Sequence, residues 1–213
     1  FFRNQARGRV DDGDPRGEVD FDNDGLLDLY EATGRVQRST KSTSNQSDLY
    51  AEEDVLMRGT ASGRYVAVEP RGGSTASIIR TSRAAAFADL DNDGLMDTIV
   101  VNKDAPANLY HNIHPPRSNW IQLRVLDEHG RDALGASVSA TAGGQRVLHP
   151  VQTAYSYFSA NDPRVHIGLG QATSIDEVMV TWTDGSVERF AEMPAGRIHT
   201  IRRGTGQPAQ RGK

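Results

Sequence analysis

The chain contains no cysteine, no long apolar run and little excess charge. Without cysteine it forms no disulfides and performs no thiol chemistry. A membrane-spanning helix needs about 20 consecutive apolar residues, and no stretch of the sequence approaches that length. The formal net charge of −4 over 213 residues provides no general attraction to nucleic acid or to anionic membranes. We therefore expect neither a nucleic-acid partner nor a membrane span in this segment.

Hydrophobic residues make up only 37% of the chain and aromatic residues 7%, whereas glycine occurs 21 times. The mean hydropathy is −0.56. This composition favours a polar, loop-rich all-β protein over a helical bundle. The sequence begins at Phe1 with neither an initiator methionine nor a signal peptide, and we interpret it as part of a longer protein.

Two acidic segments of nearly identical sequence are the most informative feature. Loop 1 is Asp20–Asp28 and loop 2 is Asp89–Asp97, each with aspartate at positions 1, 3, 5 and 9 and glycine at position 6. Converging carboxylates repel one another unless a cation lies between them, and Ca2+ prefers six to eight oxygen ligands. The pattern predicts two calcium sites, with a backbone carbonyl as the ligand at position 7. The predicted ligands are Asp20, Asp22, Asp24, Leu26 and Asp28 in loop 1, and Asp89, Asp91, Asp93, Leu95 and Asp97 in loop 2.

The remaining loop positions suit a tight turn. Glycine at position 6 permits a positive φ, and Asn23 and Asn92 at position 4 favour the turn without touching the metal. One such loop alone fits a solvated acidic turn as well as it fits a metal site. The occurrence of two such loops favours metal binding. Without the ion, we expect mutual repulsion to raise the pKa of some of these carboxyl groups.

The EF-hand is the main alternative structure for these loops, because Glu31 occupies position 12 of loop 1. Position 12 of loop 2 is Val100, which carries no oxygen in its side chain. The β-branched run at 98–101 is typical of a strand, and the run Ala84–Ala88 is too short for an independent helix. We therefore predict loops between strands, with Glu31 coincidental.

The loops belong to a longer repeat. They start 69 residues apart, at positions 20 and 89. A second signature, an apolar stretch that ends in a turn, recurs at Phe2-Arg3-Asn4, Met57-Arg58-Gly59 and Tyr110-His111-Asn112. A unit of roughly 50–70 residues is long enough for a four-stranded propeller blade.

The pattern changes after Pro115-Pro116, which we interpret as a domain boundary. Short segments that alternate apolar and polar residues follow, with turns at Gly143-Gly144 and Asp184-Gly185. About seven strands with one apolar face predict a small sandwich or barrel. Residues 204–213 are polar and basic, and we predict a disordered tail there.

These segments resemble known families. The two loops, each near an apolar-Arg/His-Asn turn, resemble the FG-GAP/VCBS repeats of integrin-α-like β-propellers. The part after Pro116 resembles an ASPIC/UnbV domain, and the order of the two resembles bacterial secreted proteins related to cartilage acidic protein. The segments that carry the second resemblance are Asn119-Trp120-Ile121, Gly135-Ala136-Ser137-Val138, Thr141-Ala142-Gly143-Gly144, Ser156-Tyr157-Phe158-Ser159, Asn161–Gly170 and Val180-Thr181-Trp182.

The resemblance implies a division into three parts. Residues 1–115 form FG-GAP/VCBS repeats of a partial β-propeller, residues 116–203 an ASPIC/UnbV domain, and residues 204–213 a tail. A complete propeller of this type has about seven blades, so we expect this chain to be the C-terminal part of a larger one. The family implies Ca2+ binding and a secreted or cell-surface, non-enzymatic role in adhesion or matrix-type binding of an extracellular protein or glycan.

Alternative functions stay open. One is an enzyme or enzyme accessory in polysaccharide or secondary-metabolite processing, and another is a purely structural propeller segment. No catalytic residues are assigned, because Ser156 and Ser159 lack the nucleophile-elbow motif, and His111 and His114 lack a third zinc ligand in a suitable setting. Five aromatic residues suit a domain core better than a glycan surface. They are Trp120, Tyr155, Tyr157, Phe158 and Trp182.

Overall fold

The computed structural model describes residues 18–35, 48–74, 78–115 and 118–210. Within these residues there is no α-helix, and a single 3-10 turn occupies Arg71–Gly73. The predicted all-β class is confirmed. No helix in this part of the chain has the length and apolar character needed to cross a bilayer.

The described residues form nineteen short strands. The strands of the N-terminal part are β1 (Glu18–Val19), β2 (Asp28–Glu31), β3 (Glu52–Glu53), β4 (Val55–Gly59), β5 (Tyr65–Ala67), β6 (Ile79–Arg80), β7 (Ser82–Ala88), β8 (Asp97–Asn102) and β9 (Asn108–Tyr110). Those of the C-terminal part are β10 (Asn119–Leu126), β11 (Ser137–Ala142), β12 (Gln145–Pro150), β13 (Val165–Gly170), β14 (Ser174–Ile175), β15 (Glu177–Thr181), β16 (Val187–Phe190), β17 (Met193–Pro194), β18 (Arg197–Arg202) and β19 (Gln207–Ala209).

The N-terminal part consists of small antiparallel sheets, ordered β1-β2-β4-β5, β7-β8-β9 and β3-β6. The inner faces of the first two sheets share one apolar cluster, in which the rings of Tyr30 and Phe87 meet edge to face at 6.1 Å. The buried members are Val19, Tyr30, Ala85, Phe87, Met96 and Val100. Among the described residues no sheet closes and no ring of blades forms, so the propeller arrangement stays a prediction.

The C-terminal part is a sandwich of two sheets, ordered β13-β10-β18 and β12-β11-β15-β16-β19. Alternate residues of β10, β11, β13 and β15 enter the shared core, as the sequence pattern predicts. Ile121 and Leu123 on β10 face Val138 on β11 and Val178 on β15 within one buried cluster. No sheet of the described residues combines strands from both sides of residue 116.

Two hairpin predictions are confirmed and one prediction fails. Gly143-Gly144 connects β11 to β12, and Asp184-Gly185 lies between β15 and β16. The predicted disordered tail is wrong for residues 204–210, because β19 pairs with β16 through backbone hydrogen bonds that do not depend on side-chain pattern. Residues 211–213 and the turn at Phe2-Arg3-Asn4 lie outside the described residues.

Candidate metal centre

Each acidic loop connects two paired antiparallel strands. Loop 1 joins β1 to β2, where Val19 pairs with Asp28, and loop 2 joins β7 to β8, where Ala88 pairs with Asp97. The strand flanks predicted from sequence are therefore confirmed. An EF-hand is excluded at both positions, because its loop connects two helices.

The backbone curls in the same way in both loops. Gly25 and Gly94 adopt φ of 87° and 90°, and Asn23 and Asn92 adopt φ of 59° and 62°. Glycine and asparagine are the residues that tolerate this left-handed region at least cost. Positions 4 and 6 thus perform the turn-forming role that the sequence predicts.

In loop 1 the first and last carboxylates fasten the turn to its surroundings. Asp20 accepts hydrogen bonds from the backbone amides of Asp24 and Gly25 at 3.1 and 2.8 Å. Asp28 accepts from the amides of Phe21 and Gly59 at 2.9 and 2.8 Å. Such bonds hold the carboxylates in place, and their remaining lone pairs stay available to a cation.

Loop 2 repeats this arrangement. Asp89 accepts from the amides of Asp93 and Gly94 at 3.1 and 3.0 Å. Asp97 accepts from the amides of Leu90 and Asn112 at 3.1 and 2.8 Å. The equivalence of the two loops therefore extends from sequence to hydrogen bonding.

The structure brings most of the predicted aspartates together. Candidate ligand atoms lie within 4.8 Å of one another in three groups: Asp20, Asp22 and Asp28 in loop 1; Asp89, Asp91 and Asp93 in loop 2; and Asp91, Asp97 and His111, whose ligand atom is a ring nitrogen, at loop 2. Asp24 is not part of the loop 1 group. The ligand roles of Asp24 and of the carbonyls of Leu26 and Leu95 stay predictions.

One residue beside each loop was not predicted as part of the site. Arg58 lies 3.8 Å from Asp22 at loop 1, and His111 lies 3.8 Å from Asp91 and 3.1 Å from Asp97 at loop 2. Both are the central residues of the repeated turn signature, which lies at the end of the strand that pairs with the strand following each loop, β4 with β2 and β9 with β8. The repetition of this turn is the sequence signal from which the position of Arg58 and His111 beside the metal loops could be predicted.

Burial controls the electrostatics of the loops. It raises the pKa of Asp20 to about 7 and that of Asp28 to about 6, and repulsion from neighbouring aspartates adds to both shifts. The pKa of Asp89 is also raised by burial, but the Arg164 guanidinium opposes this shift. The predicted direction is confirmed for these three groups, whereas burial rather than mutual repulsion is the main cause.

The donor sets suit a hard divalent cation. Every predicted ligand is an oxygen atom, and an all-oxygen shell with several carboxylates is the chemistry that Ca2+ prefers. Loop 2 adds the nitrogen of His111 at its edge. A cation held by these ligands would fix the connection between the two strands of each hairpin.

The chain combines two acidic loops, each between paired strands, with a C-terminal β sandwich. This arrangement defines a class of repeat-containing β protein with candidate divalent-cation sites. Residues 20–100 match the family model of the FG-GAP-like repeat, and residues 127–208 match that of ASPIC and UnbV. The chain is therefore an FG-GAP repeat protein with an ASPIC/UnbV domain, as the resemblance predicts. A search of curated proteins found no match.

Proposed function

We propose that this chain is part of an extracellular, non-enzymatic binding protein whose inter-strand loops are stabilised by Ca2+. The observation that carries the proposal is the pair of equivalent loops, in which carboxylate oxygens cluster within 4.8 Å on hairpins of the same backbone shape. Bringing such charges together is unfavourable without a cation. Extracellular calcium is abundant, so sites with Kd of about 10⁻⁴–10⁻³ M are sufficient there.

Ser156 and His166, residues of types that serve in catalysis, are engaged in structural contacts. The Ser156 hydroxyl donates to the Ala85 carbonyl at 2.8 Å. Burial lowers the pKa of His166 to about 3, so this imidazole is neutral, and it is hydrogen-bonded to Asn23 at 2.7 Å. These contacts support a binding role over an enzymatic one.

An exposed aromatic pair supports recognition of a partner. The prediction that these residues belong to a core is wrong, because Tyr157 and Phe158 are 61% and 84% exposed, and their rings meet edge to face at 4.5 Å. Phe158 has φ of 51°, a strained conformation for a bulky residue. In contrast, Trp182 is buried in the sandwich core. Exposed aromatic side chains are common anchors for a protein or glycan partner.

Thermal unfolding in calcium and in EDTA tests the metal assignment. At ten times Kd, each occupied site stabilises the folded state by about 1.4 kcal/mol, so calcium raises the Tm of the wild-type chain. Asp22→Asn and Asp91→Asn each lose part of this gain and differ little from wild type in EDTA. Asp104→Asn, an exposed aspartate outside the loops, is the matched control. Equal Tm values in calcium and EDTA for the wild type contradict the proposal.

A glycan array with the calcium-loaded chain tests the type of role. Selective binding without change to the glycan supports a recognition module. Binding accompanied by cleavage or modification of the glycan supports instead the alternative of an enzyme or enzyme accessory in polysaccharide processing. Tyr157→Ser with Phe158→Ser should abolish binding in the first case, because these side chains supply the exposed apolar surface.

A further inference from the structure

The position-4 asparagine of loop 1 joins three parts of the molecule. The Asn23 side-chain amide donates to the carbonyl of Gly94 in loop 2 at 3.0 Å, so its oxygen is the acceptor for His166 Nε2 on β13 at 2.7 Å. The backbone amide of Gly170, also on β13, donates to the Asn23 carbonyl at 2.9 Å. Asn23 is 2% exposed, although it belongs to a hairpin loop.

Loop 2 contacts the same strand through a second set of bonds. Arg164, at the start of β13, donates to the Asn92 side-chain oxygen at 2.6 Å and to the Asp89 carbonyl at 2.7 Å. Gln122 on β10 donates to Asp89 Oδ2 at 2.8 Å and lies 3.3 Å from His166 Nδ1. The position-1 carboxylate of loop 2 is therefore connected to the position-4 asparagine of loop 1 through two side chains of the ASPIC/UnbV domain.

Both loops pack tightly against β10 and β13. A Cβ atom added at Gly168 on β13 would overlap Asp20 Oδ2, and one added at Gly94 would overlap the indole of Trp120 on β10. Asp20 and Asp89, both predicted metal ligands, thus lie directly against the C-terminal domain. Any movement of either carboxylate changes the surface against which that domain packs.

We propose that metal loading of the two loops and docking of the ASPIC/UnbV domain are thermodynamically linked, so that Ca2+ strengthens the contact between the domains and the contact strengthens Ca2+ binding. This inference rests on the proposed function. The physical basis is that docking uses the curled form of each loop: the left-handed Asn23 and Asn92 present their oxygens to β13 only in that form. Removal of the cation leaves the carboxylates to repel one another and opens the curl.

Linkage is reciprocal, because the same coupling free energy appears in both equilibria. A substitution in the C-terminal domain that weakens docking therefore weakens Ca2+ binding, although it removes no ligand. The segment Asn161–Gly170, through which the ASPIC/UnbV resemblance is carried, includes His166, Arg164 and Gly168. Arg164, His166 and Gly168 face the repeats, whereas Val165, Ile167 and Leu169 of the same segment face the sandwich core.

Amide hydrogen exchange on the wild-type chain is the first test. The amides of Gly170 and Asp162 donate across the interface to Asn23 and Phe87, whereas that of Ala195 donates to Thr173 within the sandwich. Replacement of calcium by EDTA should accelerate exchange at Gly170 and Asp162 by roughly 5- to 150-fold and leave Ala195 unchanged. Unchanged exchange at Gly170, or equal acceleration at Ala195, overturns the linkage.

Calcium titration calorimetry of Arg164→Gln is the second test, with Arg189→Gln as the matched control. Arg189 lies on β16 and contacts Glu177 and Gln207, away from the loops. Linkage predicts that Arg164→Gln weakens Ca2+ binding by about five-fold or more. Simple charge predicts the opposite, because Arg164 is a cation beside Asp89 whose removal favours another cation. Unchanged or tighter binding by Arg164→Gln overturns the linkage.

The two proposals fail in different ways. If the wild-type chain takes up no Ca2+ in calorimetry, the proposed function itself is wrong. If it binds Ca2+ but Arg164→Gln binds as well as Arg189→Gln, the metal sites stand and only the linkage is wrong. The exchange experiment needs no variant, so it decides the linkage even if Arg164→Gln does not fold.

Discussion

Loops 1 and 2 have the same aspartates, the same glycine and the same backbone curl, yet their surroundings differ. Asn23 in loop 1 is buried between loop 2 and β13, whereas Asn92 in loop 2 is exposed and accepts a hydrogen bond from Arg164. The main causes of the pKa shift at Asp20 include no cation, whereas the Arg164 guanidinium opposes the rise in the pKa of Asp89. Local sequence thus determines the shape of each loop, and distant residues determine its charge balance.

A pair of glycine substitutions tests this difference most strongly. Gly25→Ala forces alanine into φ of 87° with its Cβ at an acceptable 3.5 Å from the Gly168 carbonyl, so we expect a loss of about 1–3 kcal/mol from strain. Gly94→Ala adds overlap with Trp120 and should cost about 2–6 kcal/mol in total. Urea unfolding in EDTA measures both without a contribution from calcium.

Gly185→Ala is the control for strain alone. Its φ is 86°, and nothing lies within 4 Å of an added Cβ. It should therefore resemble Gly25→Ala. Equal losses for Gly94→Ala and Gly185→Ala would mean that the Trp120 contact does not constrain loop 2.

The local part of the site was predictable and the interface was not. Ligand spacing, turn residues and strand flanks are read from nine neighbouring residues, and they agree with the structure. The bond between Asn23 and His166 joins residues 143 positions apart, and no periodicity connects them. The prediction that Asn23 is a turn residue is correct. Its second role, in the hydrogen bond with His166, depends on how the two domains pack.

Strand β19 illustrates the same limit within one domain. Gln207–Ala209 show no apolar alternation, so the pattern predicts disorder. The strand forms because β16 presents a free edge whose backbone groups bond to any extended segment. Apolar alternation in a sequence indicates which side chains are buried. The pairing of β19 with β16 buries almost no side chain of β19, so the sequence contains no such signal.

Acidity provides the second test of the difference between the loops. The metal-free folded state keeps a proton on Asp20 up to about pH 7, because burial raises its pKa to about 7, whereas the unfolded state loses it near the ordinary aspartate pKa of 3.8. The folded state binds more protons between these values, so its stability falls as pH rises. In EDTA Asp20 alone should contribute a loss of about 2 kcal/mol between pH 5 and 7, and Asp28 a smaller one.

Asp20→Asn should remove most of this slope, and Asp89→Asn should remove less, because Arg164 opposes the shift at Asp89. Chemical unfolding at pH 5, 6 and 7 in EDTA provides the comparison. The residual slope in Asp20→Asn reports Asp28, whose pKa is raised to about 6. If both variants lose the same slope, the electrostatic contrast between the loops is wrong.

The smallest expected effect concerns Arg58, whose guanidinium lies 3.8 Å from Asp22 and competes with a cation for that carboxylate. The pair is partly exposed, and such pairs contribute about 0.2–1 kcal/mol. Arg58→Gln should therefore tighten Ca2+ binding to loop 1 by up to about five-fold. Calorimetry in an Asp91→Asn background isolates loop 1, and the exposed Arg64→Gln is the control. Because this gain opposes the loss expected for Arg164→Gln, the two arginines separate direct competition for a ligand from support of the loop through domain docking.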